Sequence, residues 1–249
     1  MHRAAYGHLG LDWTYDAFEV AESELAAFMA NCDASWRGLS LTMPLKRQVI
    51  ALADEVTDVA RILGVANTVE FRDGQIIVSN TDCAGALSAL AERGVRKTKT
   101  ARILGGGATA ASIAYALAAN GVEHLEFVVR DPGRAEEAVA AARAAGADVV
   151  VRQIDKPLID VVDLLVSTVP ENVVLQNAHD LVDSAHAVFD VIYDPWPTPL
   201  AKAAKEAGVP LVSGLDLLAH QATFQVELMT GRPVDVDLLR NAALAELTR

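Results

Sequence analysis

Gly105, Gly107 and Ala110 fall at G-x-G-x-x-A spacing within the run Ala101-Arg-Ile-Leu-Gly-Gly-Gly-Ala-Thr-Ala-Ala. A short apolar stretch of strand type precedes them and an Ala-rich helical stretch follows. In a strand–turn–helix unit the first glycine makes the tight turn and the second lets the backbone approach a pyrophosphate. The small third residue lets helix and strand pack closely. The helix start adds free N–H groups and a partial positive charge for phosphates. Gly105, Gly106, Gly107, Ala108, Thr109 and Ala110 are therefore candidates for cradling a nicotinamide dinucleotide, whose chemistry is hydride transfer. Alone, the spacing also suits a glycine turn in another α/β sheet; the second strand ending at Arg130 strengthens the dinucleotide reading.

The end of that second strand discriminates cofactors. An acidic residue there holds the ribose hydroxyl of NAD, whereas an arginine accepts the 2′-phosphate of NADP. The sequence offers both, Arg130 and Asp131, with Arg134 one turn on. Arg130 comes first and can stack on adenine or pair with phosphate. Asp131 would repel a phosphate unless it turns away to cap a helix beginning near Pro132. NADP is the favoured cofactor; Asp131 keeps NAD open.

Other segments offer polar groups of a second kind. Gly38 to Lys46 places Thr42 and Lys46 around a proline that can start a helix, and Gly64 to Thr68 offers the Asn67 amide. Asn80-Thr81-Asp82 puts a carboxylate at a helix start, and Gly214 to Gln221 adds another amide. Singly, each has a plainer reading: a surface lysine, an N-cap, a turn residue, a helix-surface glutamine. Together with a dinucleotide fingerprint they read as a site. The six histidines have no ligand spacing and none is assigned to catalysis.

The elements that must position these groups follow from periodicity. His2 to Leu9 reads as helix with Ala4, Ala5 and Leu9 on its apolar side, and Trp13 to Val20 alternates like a strand. Ser23 to Cys32 reads as helix, Gly38 to Leu41 as strand, Pro44 to Leu52 and Thr57 to Leu63 as helices. Asp73-Gly74 between two apolar runs predicts a type I′ hairpin. Asp82 is expected to cap a helix that Gly94 stops. From Ala101 the pattern alternates strand and helix, which predicts a parallel, doubly wound sheet. Helices return over Leu215 to Met229 and Val236 to Leu247. The expected fold is α/β in two domains: residues 1–86 plus 215–249 as a substrate-binding domain, and 87–214 as a Rossmann-like dinucleotide-binding domain.

Bulk composition limits partners. A net charge of −12 disfavours nucleic acid and anionic membrane surfaces. The two cysteines, Cys32 and Cys83, show no CxxC spacing. They read as free thiols in a reducing cytoplasm, not as a disulfide framework or zinc site. The most apolar stretch, Ile103 to Ala119, is short for a membrane span.

Several motifs in order resemble the shikimate dehydrogenase family. The family pattern G-x-N-V-T-x-P-x-K matches Gly38 to Lys46, with Ser40 where Asn is usual. G-A-x-N-T matches Gly64 to Thr68, and N-T-D-x-x-G matches Asn80 to Gly85. D-x-x-Y-x-P-x-x-T-P-L matches Asp190 to Leu200 through Tyr193, and G-x-x-x-L-x-x-Q matches Gly214 to Gln221. The resemblance runs over nearly the whole chain. It implies NADP-linked reduction of 3-dehydroshikimate to shikimate, a step towards chorismate and the aromatic amino acids. Lys46 would be the general acid and base, with Asp82 orienting it. Thr42, Asn67, Tyr193 and Gln221 would hold the ring hydroxyls. The nicotinamide would lie near Ser167, Thr168, Val169 and Gly214, in a cleft between domains. The family allows a monomer or a homodimer.

Family members usually begin with a β-strand and a serine loop that receives the substrate carboxylate, whereas this sequence starts inside the following helix. The expectation drawn is a sequence shorter than the natural protein, the alternative being a variant that has lost the strand. Were the serines truly missing, substrate would bind weakly and cofactor binding would be largely retained. Two rival functions stand beside the first: an NAD-linked quinate/shikimate dehydrogenase, and a catalytically weak dinucleotide-binding regulator.

Overall fold

The computed structural model describes residues 1–154 and 160–247. The chain begins with α1 (His2–Leu9), α2 (Leu25–Ala30), β1 (Gly38–Ser40), α3 (Leu45–Gln48), β2 (Glu55–Val56) and α4 (Asp58–Leu63). The hairpin β3 (Thr68–Arg72) and β4 (Gln75–Ser79) leads to α5 (Asp82–Glu92). Next come β5 (Thr100–Leu104), α6 (Ala108–Ala119), β6 (His124–Val129), α7 (Glu136–Ala144) and β7 (Asp148–Gln153). β8 (Leu164–Ser167), α8 (Glu171–Val174), α9 (Ala178–Asp183), β9 (Val188–Asp190), α10 (Pro199–Ala207) and β10 (Leu211–Ser213) follow. The helices α11 (Gly214–Thr230) and α12 (Val236–Leu247) come last. Two compact units result, Met1–Gly85 with Ala219–Arg249, and Ala86–Leu218. The chain passes between them inside α5 and again inside α11.

The first unit holds a four-stranded sheet in the order β1-β3-β4-β2. Asp73 (φ 54°) and Gly74 (φ 78°) make the expected primed turn between β3 and β4, which pair antiparallel from Thr68↔Ser79 to Arg72↔Gln75. Both central residues need positive φ, which Asp and Gly tolerate best. Leu25, Val49, Ala60, Val69 and Val78 are at the centre of its core. A second cluster, Ala5, Tyr6, Ala222, Val226 and Leu239, binds α1 to α11 and α12. α1 therefore buries Ala5, as expected, together with Tyr6, and Leu9 packs half-buried against the same cluster.

Trp13 to Val20 is not a strand. Its residues do alternate in exposure from Leu11 to Asp16, but no backbone ladder takes them up. The aromatic side chains supply the alternation: Tyr15 stacks on His2 at 4.1 Å, Trp13 meets Tyr6 edge-on, and Phe18 packs on Phe28 and Trp36. With β1 they line a cavity of about 620 Å³. β2, which pairs parallel with β4, is too short to show as a pattern in the sequence.

The second unit holds six parallel strands in the order β10-β9-β8-β5-β6-β7. Counted from β5, this is the 3-2-1-4-5-6 order of the doubly wound dinucleotide fold, whose topological switch point lies between the first and fourth strands. Those strands are β5 and β8, paired from Ala101↔Leu164 to Leu104↔Ser167. Buried on both faces, they read as continuous apolar runs, Ala-Arg-Ile-Leu and Leu-Leu-Val-Ser. Arg102 is the exception. It is buried at 1% exposure, ion-paired with Glu126 of β6, and hydrogen-bonded to Ser184 Oγ (2.8 Å) and the Asp160 carbonyl (2.9 Å). No described helix is long and apolar enough to cross a membrane.

Candidate active site

In the first unit the sequence-predicted Lys46, Asn67, Asp82 and Gln221 converge. Pro44 caps the short α3, whose first turn carries Lys46, and the Ala66 amide donates to the Lys46 carbonyl at 2.8 Å. Lys46 Nζ donates to Asp82 Oδ2 at 2.6 Å, with the two residues only 9% and 2% exposed. An ammonium and a carboxylate so far from water must be paired, and each holds the other in place. The ammonium has three N–H donors, and Asp82 takes one. The expected N-cap role of Asp82 goes instead to Asn80, whose Oδ1 accepts from Cys83 N at 3.1 Å. Asp82 sits inside the helix, so its carboxylate is free to meet Lys46.

Asn67 is the hub. Its Nδ2 donates to Asp82 Oδ1 (2.8 Å) and to Gln221 Oε1 (2.9 Å). Its Oδ1 accepts from Thr81 N (2.8 Å), Thr68 Oγ1 (3.0 Å) and Thr81 Oγ1 (3.1 Å). Gln221 is held close by Gly85, where a Cβ would lie 2.9 Å from Gln221 N and 3.0 Å from its Cα. The glycine of N-T-D-x-x-G thus lets α5 and α11 meet at van der Waals distance. Thr42 stands just before the Pro44 turn, its carbonyl accepting from Leu45 N (3.0 Å), and lines the cavity beside β1. Gln225 and Thr68 also join the network, though no sequence signal marks either as a site residue. Gln225 is four residues beyond Gln221 on one helix, a spacing that puts both on the same face.

In the second unit, Gly105, Gly106 and Gly107 follow β5, and Ser167, Thr168 and Val169 close β8 and follow it, on the two sides of the switch point. Gly105 has φ 104°, and a Cβ there would meet Thr168 Oγ1 at 2.4 Å and Val169 Cγ1 at 3.1 Å. Thr168 Oγ1 donates to the Leu104 carbonyl at 2.8 Å, tying the two strand ends together. A Cβ on Gly106 would lie 2.7 Å from Ala135 Cα, so the middle residue is also confined to glycine. Around Gly107 a Cβ would find no atom within 4 Å, which is the open approach a pyrophosphate needs. Gly107 is the N-cap of α6; Ala108 and Thr109 form its first turn, and Ala110 is fully buried. This cradle fits a dinucleotide.

Beyond β6, Asp131 turns back and its Oδ1 accepts from Gly133 N at 3.0 Å, capping a 3-10 turn that starts at Pro132. Arg130 and Arg134 are exposed on either side of it. Gly214 opens α11 against Val191, whose carbonyl oxygen a Cβ would meet at 2.1 Å. In the same first turn Asp216 accepts from Arg93 Nη2 (2.7 Å) and Ser213 N (3.0 Å). Burial pushes its carboxyl up, but Arg93 and Ser213 win and hold it below the usual range.

Tyr193 is half exposed on the loop between β9 and α10. Asp190 clamps both ends of that loop, accepting from Ile192 N (3.2 Å) and from Thr198 Oγ1 (2.6 Å), while Thr198 caps α10. Burial raises the Asp190 carboxyl above the usual carboxylate range, against those hydrogen bonds. The folded state therefore holds this proton more tightly than the unfolded chain does. Its contribution to stability falls as pH rises from the unfolded value of about 3.9 through the higher folded one. Asp190→Asn is expected to lose that fall, so its stability relative to the parent improves between about pH 4 and about pH 7. Urea melts at both pH values measure this; an unchanged difference contradicts it.

A model of the shikimate dehydrogenase substrate binding domain matches residues 1–69, and one of the shikimate 5'-dehydrogenase C-terminal domain matches residues 214–244. The shikimate dehydrogenase (NADP(+)) of Methanopyrus kandleri is 36% identical, over 99% of this chain and 90% of its own. The crystal structure of Mycobacterium tuberculosis shikimate dehydrogenase superposes with a TM-score of 0.89 at 36% identity, covering 98% of this chain and 92% of that one. A shikimate dehydrogenase crystallised in complex with NADP+ gives a TM-score of 0.88 at 27% identity, covering 100% of this chain and 90% of that one. With relatives this similar over nearly its whole length, the chain belongs to the shikimate dehydrogenase family.

Proposed function

We propose that the chain catalyses the reversible, NADP-linked reduction of 3-dehydroshikimate to shikimate, with Lys46 as general acid and base. Family membership carries the reaction. The buried Lys46–Asp82 pair at 2.6 Å carries the assignment of its proton-handling groups. Gly105–Ala110, with Ser167, Thr168, Val169 and Gly214, would hold NADPH, which would supply the hydride. Reduction leaves negative charge on the former ketone oxygen. The Lys46 ammonium stabilises that oxygen and gives it a proton; in the oxidative direction the neutral amine takes the proton back. Asp82 holds Lys46 by one N–H, leaving the others for the reacting oxygen. Thr42, Asn67, Gln221 and Tyr193 hold the substrate hydroxyls, Asn67 by exchanging a present partner for the ligand. Residues 1–86 with 215–249 serve as the substrate domain and 87–214 as the NADP domain.

Arg130 and Arg134 would meet the 2′-phosphate, with Asp131 withdrawn into its cap. A charge-assisted hydrogen bond contributes about 1.5–3 kcal/mol. Arg130→Ala and Arg134→Ala are each expected to weaken NADP binding about 10–100-fold and leave NAD binding nearly unchanged. Titrating both dinucleotides checks this, and equal losses for the two refute the phosphate role. The reaction itself is tested by following NADPH absorbance with shikimate or quinate and with either NADP+ or NAD+. Shikimate with NADP+ is expected to be turned over fastest; no turnover of shikimate defeats the proposal.

A further inference from the structure

Gln225 is 3% exposed on α11, one turn past Gln221. Its Nε2 donates to Thr68 Oγ1 (3.1 Å) and to the Asn67 main-chain carbonyl (3.3 Å), while its Oε1 accepts from Ser40 Oγ (2.9 Å). A main-chain carbonyl can only accept, so the NH2 end of Gln225 must face Asn67 and Ser40 must be a donor. Thr68 Oγ1, already receiving a proton from Gln225, directs its own to Asn67 Oδ1 (3.0 Å). Thr81 N–H, which can only donate, reaches the same oxygen. The Asn67 carboxamide is thus fixed in one of its two orientations, with Nδ2 towards Asp82 and Gln221. Gln221 must then turn its oxygen to Asn67, and its own NH2 group is left to meet a ligand acceptor.

We infer that Gln225 is a positioning residue for the reaction: through Thr68, alongside the Thr81 amide, it holds the Asn67 carboxamide in place, and through Asn67 it sets the Asp82 carboxylate and the donor end of Gln221. Ser40, at the position where the family pattern has Asn, completes the network by satisfying the Gln225 oxygen. The site is therefore built to take substrate acceptor oxygens at Gln221 as well as at Lys46. The inference rests on the proposed function for its kinetic readout alone.

Gln225→Leu and Thr68→Val test it, the second because it removes one hydroxyl with little change of shape. Each is expected to raise the KM for shikimate and lower kcat by about 3–10-fold, with the Kd for NADP unchanged. Because both act on one path, the double variant is expected to be little worse than the more damaged single one. Wild-type kcat and KM in both variants, whatever the loss in Tm, would reduce Gln225 to a structural residue and overturn the inference, as would full additivity. Amide NMR of isotope-labelled protein reads the same point without turnover. The Asn67 side-chain NH2 signals are expected to shift and lose protection in Gln225→Leu. If the parent fails to turn over shikimate while these signals respond, the function falls and the inference stands; if it turns over and they do not respond, the inference falls alone.

Discussion

Lys46→Ala is expected to lower kcat by about 10²–10⁴-fold, the usual contribution of a positioned acid or base, while the Kd for NADP stays at its parental value. The separation follows from the fold. Lys46 belongs to the unit formed by Met1–Gly85 and Ala219–Arg249, and the glycine cradle belongs to Ala86–Leu218. Removing the ammonium also leaves Asp82 buried with Asn67 as its remaining partner described here, and breaking a buried pair costs about 3–5 kcal/mol. Lys46→Gln guards against confusing that cost with lost chemistry, because its amide can still donate to Asp82 but cannot deliver a proton at neutral pH. Both variants should be equally slow, and the glutamine variant more stable. Turnover in Lys46→Gln near the parental rate would show that the proton comes from elsewhere.

Gly105→Val is expected to have the opposite signature, losing the cofactor and leaving the Lys46–Asp82 pair in place. The added Cβ would stand 2.4 Å from Thr168 Oγ1, at a φ of 104° that side chains rarely adopt. Overpacking of this sort costs about 1–3 kcal/mol and the backbone strain about 1–3 kcal/mol more. Relief requires β5 and the end of β8 to part, which opens the turn that must hug the pyrophosphate. NADP affinity should fall by at least about 10–100-fold, one to two increments of 1.4 kcal/mol in binding, with a lower Tm. Dinucleotide titration and thermal melts read these effects, and undiminished NADP binding would remove the cradle from this turn.

The parallel sheet was legible because fully buried strands and glycine turns leave a strong local trace. Ala101 to Leu104, the three glycines and the Ala-rich α6 are visible in one short run. Trp13 to Val20 misled for a related reason: aromatic residues spaced two apart look like a pleat, whether a neighbouring strand or a set of rings takes up the alternation. β2, at two residues, carries too little pattern to be seen. Among the site residues, Lys46, Asn67, Asp82 and Gln221 stood out by type but took their roles from the family motifs, since nothing local in the sequence brings Lys46 to Asp82 across 36 positions. Asn80 displaced Asp82 as the cap because both stand at the start of the helix in the sequence and only geometry decides between them. Gln225 was missed although its spacing from Gln221 was visible, because a glutamine four residues on signals a shared face and says nothing of burial. The constraint on Gly106 was equally hidden, as Ala135 comes beside it only once β6 and the following turn are in place.

Mixing the NADPH-bound protein with 3-dehydroshikimate and watching one round of NADPH consumption isolates the bond-making step from product release. About one equivalent should be oxidised per chain, with the rate falling steeply when residue 46 can no longer give up a proton and the amount of bound NADPH unaltered. An inert parental enzyme, or a Lys46→Gln trace that overlays it, would contradict the account.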